Sequence, residues 1–348
     1  MTNITRFTSE EEWETRWLPD IDRLRLGAVM PGVPGGRGIT SFRVGRFATS
    51  DPTGLVFTGR VDGSEVTVEL PRVDLRLAGG YTGLIGEHNS AVVMSSDDRT
   101  DRSDDDVYLA PPRALVLADA GFPELFGRQD LTLGAAAQFD LRDVDPLPRH
   151  DGDTSELLNS QYGYLGLDGP LFGAMYYDAA AAAGVNERAE AGEDFDLEVG
   201  LVGLLETRYY FGAGDSQIVR LRSIYGTGET GELNTYVPVS IPDSELLRSY
   251  EGGDLTLATL EYSIRPFQDS PRRTARSLQF STYGSAAFTA EPNFDDELRA
   301  VESGARLRAR PASDFGGQLW VGAVFPGDEE LEEIEPDLRG RLELSMSY

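Results

Sequence analysis

The clearest pattern in the chain is a period-two alternation at its C-terminal end. Leu338, Gly340, Leu342, Leu344, Met346 and Tyr348 alternate with Arg339, Arg341, Glu343, Ser345 and Ser347. Successive strand side chains point to opposite faces, so this spacing predicts a β-strand with one apolar and one charged face. Eleven residues at about 3.4 Å each, tilted by about 40°, span roughly 28 Å, close to the roughly 25 Å apolar band of a transmembrane barrel.

The same period recurs along the chain. Leu131, Leu133, Ala135, Ala137, Phe139 and Leu141 alternate with Thr132, Gly134, Gln138, Asp140 and Arg142, and Val73, Leu75, Leu77 and Tyr81 oppose Asp74, Arg76 and Thr82. Leu197, Val199, Leu201, Leu205, Tyr209 and Phe211 oppose Glu198, Glu206 and Arg208. Leu260, Tyr262 and Ile264 oppose Glu261, Ser263 and Arg265; Leu278, Phe280 and Phe288 oppose Ser277, Gln279 and Ser285; Val301, Ala305, Leu307 and Ala309 oppose Glu302, Arg306, Arg308 and Arg310. Several of these runs are longer than the usual strand of about five to six residues. The whole predicts about 14 strands, within 12 to 16 given the ordinary error of strand boundaries.

Connections fall into two kinds. Asp62-Gly63 supplies the positive φ angles of a type I′ turn and predicts a hairpin, and Pro71-Arg72 and Asp168-Gly169-Pro170 read as further short reversals. Ser95 to Asp106, Asp143 to Glu156, Glu187 to Asp194 and Pro326 to Pro336 read as long acidic loops. Short turns alternating with long polar loops is the layout of an up-and-down transmembrane barrel. Gly35-Gly36-Arg37-Gly38 lacks the Lys-Ser/Thr of a phosphate loop and reads as a turn. Residues 1–21 form a separate N-terminal segment. There Ser9 and Glu12 resemble a capping box, and Trp13, Trp17 and Leu18 line one face of a short helix. Residues 22–348 read as a single β-barrel. Ala114 to Ala118, after Pro111-Pro112, fits a strand, a helix or a lumen constriction equally well.

Composition narrows the function. There is no Cys or Lys, and 31 Arg against 59 Asp plus Glu leave a formal charge of −28. Nucleic-acid binding through general basicity is therefore excluded, as are disulfide scaffolds, thiolate metal sites and thiol catalysis. No apolar run is long enough for a transmembrane helix. The N-terminus has neither the basic nor the apolar region of a secretory signal, so an exported chain would have had one removed.

Alternation alone does not distinguish a barrel with a greasy exterior and wet lumen from a soluble sheet with a greasy interior. Strand length, strand number and an inner face rich in Arg and small residues favour the former. In hydrocarbon an unpaired backbone group costs several kcal/mol, so a sheet enters lipid only by closing on itself. The expected fold is an all-β, closed antiparallel up-and-down transmembrane barrel.

The candidate lumen residues are Arg220, Arg222, Arg306, Arg308, Arg310, Arg339 and Arg341, facing Glu198, Glu206, Glu261, Glu302 and Glu343. Such a lattice sets a transverse field that selects among ions and small polar solutes. Read blandly, the same residues are solvated sheet charges or a network that stiffens the interior. Tyr162, Tyr164, Tyr176, Tyr177, Tyr209, Tyr210, Tyr225, Tyr236 and Trp320 fit an interfacial aromatic girdle. Two acidic clusters, Asp97, Asp98, Asp101 with Asp104 to Asp106, and Asp328, Glu329, Glu330, Glu332, Glu333 with Glu335, lack EF-hand spacing and read as solvated loops rather than calcium sites. His88-Asn89-Ser90 invites a lipid-hydrolase comparison and His150 stands beside Asp151 and Asp153, yet neither has triad or metal spacing. No catalytic residue, metal or cofactor is expected.

The terminal strand, with Tyr348 last and Met346, Leu344 and Leu342 at alternate positions, resembles the C-terminal signal of Gram-negative outer-membrane β-barrels. The resemblance implies an outer-membrane location, lipid contact, recognition by the barrel-assembly machinery, a porin-like passive pore and, as in many porins, a homo-oligomer. Gly45 to Leu55, Tyr108 to Arg113 and Gln138 to Arg142 look like phrases of spirochaete barrel proteins. Two other readings stay open: a soluble, acidic, salt-adapted β protein that binds a ligand or carbohydrate, and a barrel lipid hydrolase.

Overall fold

The computed structural model describes residues 2–6, 14–18, 23–36, 38–103, 107–144, 153–154, 156–190, 196–212, 216–228, 233–240, 253–290, 298–312, 315–327 and 337–346. The strands are β1 (Thr2–Arg6), β2 (Glu14–Leu18), β3 (Leu24–Pro31), β4 (Ile39–Ser50), β5 (Thr58–Leu70), β6 (Val73–Tyr81), β7 (Arg113–Phe122), β8 (Asp130–Asp140), β9 (Asp143–Val144) and β10 (Asp153–Thr154). They continue as β11 (Glu156–Phe172), β12 (Met175–Glu190), β13 (Asp196–Phe211), β14 (Gln217–Gly226), β15 (Leu255–Ile264), β16 (Gln279–Phe288), β17 (Leu298–Ala309), β18 (Phe315–Pro326) and β19 (Asp337–Met346). Two short helices, α1 (Ser96–Ser103) and α2 (Arg273–Arg276), lie in the connections.

Fifteen strands, β3 to β8 and β11 to β19, pair as one sheet with each strand beside its chain neighbour. Every pairing in it is antiparallel, and β1–β2 and β9–β10 form separate two-stranded pieces. Among the described residues the ladder runs from β3 to β19 without joining its two ends.

Register makes the faces explicit. Leu221 opposes Leu260, while on the other face Arg220 opposes Glu261 and Glu261 opposes Tyr283. Leu221 is 51% exposed and Leu260 56%, whereas Glu261 is 7% exposed. Leu133, Phe139, Leu165, Leu197, Leu205, Phe280, Leu307, Leu342 and Leu344 are all exposed on the apolar face. The greasy residues thus lie outside, as the alternation requires of a lipid-facing sheet.

The two ends of the sheet differ. One carries short reversals at 71–72 and 173–174, and the other the connections 82–112 and 227–254. Three loop-end segments turn inward. Leu55, Val56, Phe57, Val92, Met94, Tyr236 and Val239 form one buried cluster with the inner-face residues Leu115, Leu117, Leu158, Tyr162, Val202 and Ile224. Backbone bonds tie them together: Val239 N–H donates to Val56 O at 2.9 Å, and Val92 bridges Ser240. Tyr236 Oη donates to Leu55 O and Tyr162 Oη to Val237 O. The lumen therefore holds an apolar filling toward its loop end, to which Leu115 and Leu117 contribute.

Glycine admits this filling. A Cβ on Gly200 would stand 2.5 Å from Tyr236 Cα, where the inward segment crosses β13. Gly200→Ala is expected to push that segment off the wall and cost about 1–3 kcal/mol by overpacking, read as a lower thermal midpoint in detergent.

Several local expectations are corrected. Asp62-Gly63 is not a turn: both residues lie inside β5, and Gly63 is there because a Cβ would meet Gly79 O at 2.0 Å. Asp168-Gly169-Pro170 continues β11, and the reversal comes at 173–174. Trp17 and Leu18 belong to strand β2 rather than a helix, paired with β1 across the register Asn3 to Trp17; Ser9, Glu12 and Trp13 lie outside the described residues. Ala114 to Ala118 is strand. Part of the acidic run from Ser95 is helix α1, and its Asp98 is fully buried, because two inner arginines neutralise it. His150, Tyr348 and the cluster from Asp328 to Glu335 also lie outside the described residues.

Candidate functional site

The inner face of β13 to β19 carries a connected set of charges. Glu261 of β15 receives Arg220 of β14 in a short ion pair and Arg306 of β17 at 2.8 Å. Glu206 of β13 lies 2.7 Å from Arg208, 3.9 Å from Arg220 and 4.0 Å from Arg222. Strand register explains the grouping: Arg222 opposes Glu206 and Arg220 opposes Glu261, each pair on one face.

A recess of about 150 Å³ opens on this wall, lined by Arg208, Tyr210, Ile218, Arg220, Glu261, Ser263, Gln279, Arg306 and Arg308. Four guanidiniums line it against the one lining carboxylate, with Glu206 behind, so positive charge is in excess locally in a chain of net charge −28. Arg308 is exposed and donates to Gln318 Oε1 at 2.9 Å, and Gln318 in turn hydrogen-bonds Glu343. Beyond it, Arg341 lies over the Trp320 ring at 4.0 Å and Arg306 at 5.8 Å.

The twelve expected lumen residues therefore separate. Arg220, Arg222, Arg306, Arg308, Glu206 and Glu261 come together around the recess. Arg339, Arg341 and Glu343 sit on the inner face of the terminal strand β19, pairing as Arg339–Asp337 at 2.6 Å and Arg341–Glu343 at 2.9 Å. Glu302 is fully buried and accepts a 2.6 Å hydrogen bond from Tyr283 Oη. Glu198 joins Arg188 at 3.3 Å, which also meets Glu156 at 2.7 Å. Arg310 falls just past the end of β17, its backbone N–H bound to Ser277 Oγ. The aromatic girdle is also divided. Tyr209 and Tyr225 are exposed on the outer face, whereas Tyr162, Tyr164, Tyr236 and Trp320 are buried in the interior because their positions fall on the inward phase of their strands or in an inward loop.

Two further clusters were missed as groups. On β4 to β7, Arg43 meets Glu65 at 2.6 Å and Arg76 meets Asp119 at 2.7 Å, each residue on the inward phase that alternation with Leu75 and Leu77 marks. The other is a fully enclosed quartet. Arg113 of β7 pairs with Asp98 at 2.9 Å and Asp140 at 3.1 Å, and Arg142 with Asp98 at 3.0 Å and Asp140 at 2.7 Å. Arg113 Nη1 also donates to Leu158 O. Burial opposes ionisation of Asp98, but Arg113, Arg142 and the backbone N–H groups of Met94 and Ser95 outweigh it and hold its carboxyl below the ordinary value. Nothing in the sequence near Asp98 names Arg113 and Arg142, which arrive from 15 and more positions away.

Among the described residues, no group of three or more His, Asp or Glu is placed to hold a metal. No described helix is long and apolar enough to cross a membrane, which says nothing of crossing by strands.

An extended antiparallel sheet, greasy outside and charged inside, with loops folded into its interior, defines an up-and-down transmembrane barrel-type fold. No family model and no curated protein matches the chain. Solved structures share the fold. Pseudomonas aeruginosa OccK11 (OpdR) matches at 15% identity over 89% of this chain and 78% of its own, with a TM-score of 0.53. OccK2 (OpdF) of the same organism, solved with glucuronate, matches at 13% identity over 89% and 80%, TM-score 0.52. The P. aeruginosa outer membrane protein OpdK, solved with vanillate, matches at 14% identity over 89% and 78%, TM-score 0.55. These matches are to Pseudomonas proteins and lend nothing to a spirochaete origin.

Proposed function

We propose that the chain closes into an outer-membrane barrel and acts as a passive, non-catalytic pore for small polar solutes that carry a carboxylate or similar anionic group. The basic recess on β13 to β17 carries this reading. Arg208, Arg220, Arg306 and Arg308 concentrate positive charge on one wall of a lumen narrowed by apolar loops, and a wall of that sign attracts anions and repels cations. The structures that share the fold with bound glucuronate and vanillate, both carboxylates, support the same solute class. Leu342 and Leu344 on the outer face of β19 suit the terminal strand to recognition by a barrel-assembly machinery. The exposed apolar outer face favours lipid over a soluble, salt-adapted form.

Planar bilayer recordings under a salt gradient test the pore. The protein is expected to favour anions, and Arg306→Gln combined with Arg308→Gln is expected to shift the reversal potential toward the cation value. Unchanged selectivity in that double variant would remove these residues from the mechanism, and absence of any conductance would remove the pore itself.

A further inference from the structure

We propose that Glu87 is a proton-sensitive latch on the inward-folded segment 82–103, and that ionisation of its carboxyl releases this segment from the lumen. The proposal rests on the pore reading only for its effect on conductance.

Glu87 opens a short 3-10 turn, Glu87–Asn89, and its surroundings are fixed. Its N–H donates to Tyr108 O at 3.0 Å, Gly86 bridges Leu109, and Ala110 N–H donates to Ile85 O at 2.8 Å. The side chain is 1% exposed, and both carboxyl oxygens are buried without a hydrogen-bond partner among the described residues. Nearby, Asp98 is equally buried but receives the N–H groups of Met94 and Ser95 and both guanidiniums of the quartet. The N–H groups of Met94 and Ser95 and the Arg113 and Arg142 guanidiniums are thus committed to Asp98.

Among the described residues, the charged groups facing Glu87 are Asp98, Asp101 and Arg102 on α1 and Arg142 after β8. Arg142 is engaged with Asp98 and Asp140. Burial first, with Asp98 and Asp101 adding to it and Arg102 and Arg142 opposing, raises the carboxyl from the ordinary 4.5 to about 7. A buried carboxylate without a donor is unfavourable, and water relieves it only when the segment leaves.

The sign follows from linkage. The docked segment holds the Glu87 proton more tightly than the released one, so docking is strongest below pH 4.5, weakens as pH rises toward 7, and is flat above that. Between pH 5 and pH 8 the docking equilibrium is expected to fall about 70-fold. Asp98, held below its ordinary value, stays ionised throughout this window and adds no slope. Since Val92, Met94 and Asp98 cover the inner face at Arg113 and Leu158, departure of the segment widens the pore.

Two measurements on the full chain test this. In planar bilayers, openings to a wider conductance should become more frequent from pH 5 to pH 8 and become independent of pH in Glu87→Gln. Tethering the segment through Val92→Cys with Ser240→Cys, at a bridged pair in a chain without native cysteine, should abolish the response with Glu87 in place. Independently of conduction, Met94→Cys reports docking through maleimide labelling in detergent, because Met94 is buried in the inward cluster. Its labelling rate, divided by that of the same variant carrying Glu87→Gln, should rise about 70-fold over the same range. A ratio that does not change with pH overturns the latch. A rising ratio in a protein that conducts nothing upholds the latch and overturns the pore.

Discussion

Asp98→Asn should detach the inward segment at every pH. The substitution keeps shape and removes one charge from a quartet whose Asp98 and Arg113 are both fully buried, leaving Arg113 and Arg142 to share Asp140 alone. Breaking a buried ion pair by removing one partner costs about 3–5 kcal/mol, because the surviving charge is stranded away from water. That is a large part of what can hold a loop of this kind, so the docked form should lose its majority. Single-channel conductance is expected to rise, and limited proteolysis should begin to cut within 92–103 while the strands stay intact. Adding Arg142→Gln restores a balanced Arg113–Asp140 pair and should recover part of the loss, a coupling that a double-mutant cycle isolates. Unaltered conductance and protease resistance in Asp98→Asn would show that the quartet does not hold the segment.

Leu260→Arg should prevent stable insertion. Leu260 opposes Leu221 on the outer face, and an arginine on the lipid face near the bilayer midplane costs about 2–4 kcal/mol. The yield of heat-modifiable folded protein in lipid vesicles should drop sharply. Gln279→Arg, on the inner wall and lining the recess, carries the same charge onto the polar face and should fold with near-normal yield. A soluble sheet reverses this expectation, since its exposed Leu260 would accept a charge readily. Equal yields for the two variants would therefore overturn the lipid-facing assignment.

How much of this was legible depends on the range of the interactions. Strand phase could be read because a period of two is local: the division of Leu205 from Glu206, or Leu307 from Arg306, needs only adjacent residues. The candidate recess was half legible for the same reason, since alternation put Arg220, Arg306 and Glu261 on inner faces and register then brought them together. Turn chemistry was less informative. Asp62-Gly63 carries the residues of a hairpin, yet Gly63 is required by the close approach of Gly79, a constraint from another strand. Tyr162 and Trp320 carried the composition of an interfacial girdle, but their phase on β11 and β18 sends them inward.

By itself the sequence determined the β class, the long alternating strands and the greasy and charged faces, because each is set by neighbours one or two residues apart. Only the tertiary structure decided that the loops turn into the lumen, that Asp98 meets Arg113, Arg142 and the neighbourhood of Glu87, and that four arginines share one recess. Loop direction and buried charge pairing depend on contacts between residues distant in the chain, whose energies come from burial and desolvation that no local pattern encodes.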